Sequence, residues 1–219
     1  ISMGVPRVLF ALTIALLSIG SCRHFAPNAG TPSDSLNRIM PLGASRVAGD
    51  RPAFESYRYE LWKKLVENGW DIDFIGTGRD WGDYPDVDGL SFDRDHQGEG
   101  GWTSGQILDE LSDWLKETGP PDIVLFSSPG GNDALLGMPF EDAVANVNAI
   151  IDLLQQANPS VTILIEQMAP TVSYMMTGDI ARFFEQMHEE VLVIASDQSS
   201  GSSRVIAVDM YTGFTDDLL

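Results

Sequence analysis

Ile123-Val124-Leu125-Phe126 is an unbroken apolar run that leads directly into Ser127-Ser128-Pro129-Gly130-Gly131-Asn132-Asp133. A short continuous apolar run closed by a polar, glycine-rich turn reads as a strand buried on both faces. Working outward, residues 39–42, 72–75, 161–165 and 205–208 are further short β-rich runs. Between them lie helical stretches. Residues 57–67 carry Leu61 and Leu65 at helical spacing and stop at Asn68-Gly69. Thr103 or Ser104 caps a helix through Lys116, with Ile107, Leu108, Leu111, Trp114 and Leu115 on one face, ended by Gly119-Pro120-Pro121. Residues 140–157 and 180–195 are the two further helices. Five short β-rich runs separated by helices predict an α/β fold, a parallel sheet covered on both faces. In such sheets ligands bind at the carboxyl ends of the strands.

The start of the chain has a different character. Residues 3–22 hold Arg7, an apolar run over 8–19, and then Gly20-Ser21-Cys22. This is the pattern of a bacterial secretory signal with a lipobox, in which the Cys22 thiol is acylated and becomes the mature N-terminus. An ordinary signal peptide with an incidental cysteine is the alternative. The run is shorter than the ~20 residues a membrane span needs. Ile1 and Ser2 precede Met3, the expected initiator. Residues 23–37, rich in Pro, Ser, Asn and Gly, read as a tether, and 38–219 as one domain. The expected location is the cell envelope or the exterior. Cys22 is the only cysteine, so no intramolecular disulfide forms.

The formal charge of −19 argues against nucleic acid and against anionic lipid or polymer partners. Contact with a membrane is expected only through the N-terminal lipid, and the chain is expected to be a monomer. Acidic residues concentrate over 80–99, which reads as a solvated loop. Asp93, Asp95 and Gly98 have the opening spacing of a calcium loop, but Ser104 stands where the closing carboxylate belongs. A structural Ca²⁺ is therefore a minor alternative to the expectation of no cofactor and no metal.

Polar stations fall at three strand ends. The first strand ends in Gly43-Ala44-Ser45, a turn that can expose a serine hydroxyl next to backbone N–H groups. Gly98-Glu99-Gly100-Gly101-Trp102-Thr103 stands before the second helix, and Asn132 follows the third strand. These are the parts of an acyl-transfer site: Ser45 to attack a carbonyl, with the N–H groups of Ser45 and Gly101 and the Asn132 amide to stabilise the tetrahedral oxyanion. Trp102, Trp81 and Tyr84 are candidates for stacking on sugar rings, with packing of a lid as the equal alternative.

The segments IMPLGAS (39–45), SYRYELWKKL (56–65), DIDFIGT (71–77), DHQGEGGWTSGQIL (95–108), GGND (130–133) and VDMYTGF (208–214) together resemble the SGNH (GDSL-type) hydrolases. The nearest branch is that of the carbohydrate acetyl esterases related to acetyl xylan esterases. The resemblance implies a flavodoxin-like three-layer α/β/α sandwich. It also implies Ser45 as nucleophile, Gly101 and Asn132 as oxyanion donors, and acylated carbohydrate or a small ester as substrate.

The chain departs from the family pattern in three places. Ala44 replaces the aspartate of Gly-Asp-Ser, and Glu99-Gly100 replaces a His-Ser pair. The family's Asp-x-x-His, which supplies the base and its orienting acid, is expected beyond Leu219, so the domain reads as truncated at its C-terminus and all but inactive by itself. His24, His96 and His188 are the three histidines present, and none stands where that element belongs. A serine hydroxyl needs a base within about 2.6–3.2 Å. The rival functions are a lipid-anchored carbohydrate-binding protein without catalysis and a lysophospholipase-type lipid esterase.

Overall fold

The computed structural model describes residues 37–214. The signal segment, Cys22, the tether up to residue 36 and the expected triad half lie outside the described residues. The elements run β1 (Asn37–Gly43), α1 (Ser45–Ala48), α2 (Arg58–Glu67), β2 (Ile72–Phe74), β3 (Gly78–Arg79), β4 (Asp95–Gly98), α3 (Ser104–Thr118), β5 (Ile123–Phe126), α4 (Gly131–Leu135), α5 (Phe140–Ala157), β6 (Thr162–Gln167), α6 (Gly178–Gln198) and β7 (Arg204–Asp209). β1 starts at Asn37, inside the stretch read as tether, because it pairs there with Ile72 of β2.

The strands lie in the order β3-β4-β1-β5-β6-β7, with β2 against the first half of β1. Every pair is parallel except β3 with β4. Leu42, Phe126, Ile165 and Ala207 stand in one row across the sheet. The carboxyl ends that follow them therefore share one rim.

Side chains alternate between two cores, as the two-residue period of a strand requires. Met40, Leu42, Val124, Phe126, Ile163 and Ile165 pack against α3, α5 and α6. Ile39, Leu125 and Leu164 face the other way, onto Val47, Trp62, Leu65 and Phe92. This is the three-layer sandwich expected. Tyr59, Tyr84, Trp62 and Phe92 form an aromatic cluster over the second face, with Tyr84 and Phe92 4.7 Å apart.

The acidic stretch 80–99 is an exposed loop over most of 81–91, as its composition predicts, but not at its two ends. It contains β4, in which His96 and Gln97 are buried, and Asp80 is buried against Arg58. The calcium-loop spacing is spent on the fold. Asp93 accepts hydrogen bonds from Phe74 N (2.6 Å) and Asp95 N (3.3 Å), and Asp95 pairs with Arg79 at 2.9 Å. Among the described residues no group of three or more His, Cys, Asp or Glu is placed to hold a metal.

Phe126 is 1% exposed at the centre of the larger core. Phe126→Ala should cost about 3–5 kcal/mol through lost burial and a residual cavity. Urea unfolding should show a lower midpoint with an unchanged slope; an unchanged midpoint would mean that the core collapses around the gap.

Candidate active site

β2 and β4 lie on one side of β1, and β5 lies on the other. The chain thus reverses direction of travel across the sheet between β1 and β5. Open α/β sheets bind ligands at such a crevice, outside the strand ends. Ser45 follows β1, and the segment 127–133 follows β5.

Ser45 is the first residue of α1 and is partly exposed. Its N–H has no partner within the helix by position. Two glycines let the neighbouring backbones close around it. A Cβ on Gly43 would stand 2.7 Å from Ser127 O and 3.0 Å from Val47 Cγ2. A Cβ on Gly98 would stand 2.5 Å from Ala48 N. Glu99 N donates to Gly43 O at 3.1 Å, and Ser127 N to Leu42 O at 2.9 Å, so β4 and β5 both pin the end of β1.

Gly101 has φ of 82°, in the left-handed region where glycine is favoured, and is exposed. Trp102 N closes the turn onto Glu99 O at 3.2 Å. Thr103 and Gln106 form a reciprocal capping box at the start of α3. The GGND segment reaches this same stretch twice. Asn132 Nδ2 donates to Trp102 O at 2.7 Å. The buried Asp133 carboxylate accepts from Ser104 N (2.8 Å) and Ser104 Oγ (2.7 Å). Gly101 and Asn132 are thus brought together on the rim that Ser45 occupies.

Further residues brace the rim. Glu166, at the end of β6, accepts from Ser127 Oγ and Ser128 N, both at 2.9 Å. It holds Ser128 at φ 51°, one of two non-glycine residues with positive φ among those described. Burial raises the Glu166 pKa, against the Ser128 N–H, the Arg46 charge and Ser127, which lower it. Arg46, next to Ser45, donates to Ala169 O (3.0 Å) and Pro170 O (2.7 Å), which draws the β6–α6 loop to α1. Neither Asp133 nor Glu166 stands out in the sequence as a site residue. The one signal for Asp133 is its place beside Asn132 in GGND.

The described histidines are engaged elsewhere. His96 Nδ1 accepts from Gly98 N at 3.1 Å, and burial, with Arg58 nearby, pushes its pKa down to about 4. His188 Nε2 bonds Met168 O at 2.8 Å, and its ring stacks on Tyr211 at 4.0 Å. Trp102 is stacked on Trp114 at 5.6 Å, a packing contact. Tyr84 donates to Asp80 within the aromatic cluster, whereas Trp81 is 84% exposed.

No protein-family model matches the sequence, and no curated protein matches it. Solved structures do. An acetyl esterase variant with a bound acetate ion aligns with a TM-score of 0.72 at 24% identity, over 84% of this chain and 85% of its own. A family 3 carbohydrate esterase from Clostridium thermocellum aligns at 0.65 and 28% identity, over 83% and 82%. AlinE4, an SGNH-hydrolase family esterase, aligns at 0.54 and 18%, over 80% and 77%. The chain has the SGNH-hydrolase fold.

Gly43→Ala should cost about 1–3 kcal/mol, because the added methyl meets backbone that cannot move without shifting β5. Denaturant unfolding checks this; a wild-type midpoint would show that β1 and β5 can part at no cost.

Proposed function

We propose that the chain is a serine carboxylic ester hydrolase that removes short acyl groups, acetyl above all, from carbohydrate. The observation that carries this is the bond from Asn132 Nδ2 to Trp102 O at 2.7 Å. It couples the β5 station to the glycine turn on the rim where Ser45 begins α1. The solved esterases that share the fold support the same reaction class.

In the proposed reaction Ser45 Oγ attacks the ester carbonyl carbon and gives its proton to a base. The oxyanion of the tetrahedral intermediate takes hydrogen bonds from the N–H groups of Ser45 and Gly101 and from Asn132 Nδ2. Collapse expels the sugar alkoxide, which takes the proton from the base. Water then hydrolyses the acyl-Ser45 ester and releases the carboxylate. The base and its orienting acid are proposed to be the histidine and aspartate of the family's Asp-x-x-His.

A second reading keeps the fold and drops the chemistry. Among the described residues no histidine hydrogen-bonds Ser45, since His96 and His188 are held by Gly98 N and Met168 O. A protein that binds acylated glycans without hydrolysing them fits that observation. Location at the cell envelope through an acylated Cys22 is common to both readings.

Asn132→Ala in the full-length gene product should lower kcat on p-nitrophenyl acetate and acetylated xylan about 10²–10³-fold, with substrate affinity changed much less. Ser45→Ala should abolish both turnover and fluorophosphonate labelling. Glycan binding with no labelling of the parent protein would favour the binding reading, and turnover confined to acyl lipids would replace carbohydrate with lipid as substrate. The anchor is checked separately: Cys22→Ala should release the protein from membranes and end incorporation of a labelled fatty acid, and a wild type that takes up no label would remove the anchor.

A further inference from the structure

Arg58, in the first turn of α2, is fully buried. Its Nε donates to Val47 O at 2.7 Å, and its Nη2 to Ala48 O at 3.0 Å. These are the last two carbonyls of α1, the four-residue helix that opens with Ser45. The last carbonyls of a helix have no partner within it. A cation there satisfies them and matches the sign of the helix end.

The same guanidinium reaches the other half of the site. Nη1 donates to Arg94 O at 3.2 Å, one residue before β4, the strand that ends at Gly98 and leads to Gly101. Nη2 is also paired with Asp80 at 2.9 Å. Asp80 is itself fixed by Gly82 N (2.7 Å) and by the Tyr84 hydroxyl. One planar group thus spans three separate carbonyls and a carboxylate. Lysine, a point charge on a flexible stem, cannot reproduce that fork. A buried ion pair adds little net stability over apolar packing of the same volume, so stability alone does not explain this one.

We propose that Arg58 is a positioning residue that sets Ser45 against Gly101 by holding the end of α1 and the start of β4 on one rigid group. The proposal rests on the roles given to Ser45 and Gly101 above. Burial lowers the Arg58 pKa, and Asp80, Tyr57 and Tyr84 oppose that shift only in part; His96 faces the guanidinium as well.

The test uses the full-length gene product. Arg58→Lys should slow fluorophosphonate labelling of Ser45, and lower kcat on p-nitrophenyl acetate, about 10–10²-fold with little change in KM, as expected for a reacting group displaced by about 1 Å. Hydrogen exchange should rise together over residues 45–49 and 98–101. Asp80→Asn keeps the guanidinium and loosens its anchor, and should move the same readouts in the same direction; it decides the matter if Arg58→Lys does not fold. Leu65→Ala, a cavity on the opposite part of α2, should lower Tm and leave kcat unchanged below the transition. Wild-type exchange and wild-type rates in both Arg58→Lys and Asp80→Asn would overturn the proposal. So would a loss of kcat in Leu65→Ala equal to theirs. Residual turnover or labelling in Ser45→Ala would instead overturn the nucleophile assignment, a failure visible without any Arg58 variant.

Discussion

At the end of β1 three backbones come closer than any side chain allows. A Cβ on Gly43 would meet Ser127 O at 2.7 Å, and one on Gly98 would meet the Ala48 N–H nitrogen at 2.5 Å. The missing carbons let β4 and β5 close on β1, and the polar residues that follow those strands inherit the proximity. Ser45, the 98–101 turn and the segment 127–132 follow strand ends that meet because Gly43 and Gly98 carry no side chain. Everything proposed for the site depends on that contact.

Around this contact the protein buries charge where a simpler core would be apolar. Arg58 and Glu166 are two such buried groups near the strand ends. Arg58 ties α1 to β4, and Glu166 ties β6 to the turn after β5. Each is satisfied by several partners, as buried charge must be. The apolar sandwich holds the strands at the right spacing, but hydrogen bonds of fixed direction set where the turns point. Packing is tolerant at the scale of an ångström, and acyl transfer is not. That contrast accounts for the concentration of buried polar groups at one end of the sheet.

The surface is strongly acidic, with a formal charge of −19. A neutral acetylated sugar is indifferent to that field, whereas the carboxylate product is repelled by it. The charge is thus compatible with the proposed turnover of neutral esters, and it disfavours the phosphate-rich partners that a basic surface would draw.

The layered α/β fold was legible in the sequence because its signals are local. Ile123-Val124-Leu125-Phe126 cannot face water on either side, and the helix over 140–157 shows its period plainly. Strand ends marked by Ser45, Gly101 and Asn132 follow from the same reading, since parallel strands place their carboxyl ends on one rim. The two ends of the stretch 80–99 depart from the solvated loop expected there, for the opposite reason. Its composition is that of a solvated loop, and only the pairing of β4 with β1, together with the Arg58 carried in by α2, makes it bury Asp80, His96 and Gln97. The partners of Arg58, Asp133 and Glu166 are not legible in the sequence, for the same cause. They lie 10 to 39 residues away in the chain, and no local period records a hydrogen bond at that range. Which residues form strands, helices and candidate stations is written locally along the chain, because burial and periodicity are properties of short segments. Which buried polar groups hold those stations in place emerges only on folding, because such a group is tolerated only where the fold brings it its partners.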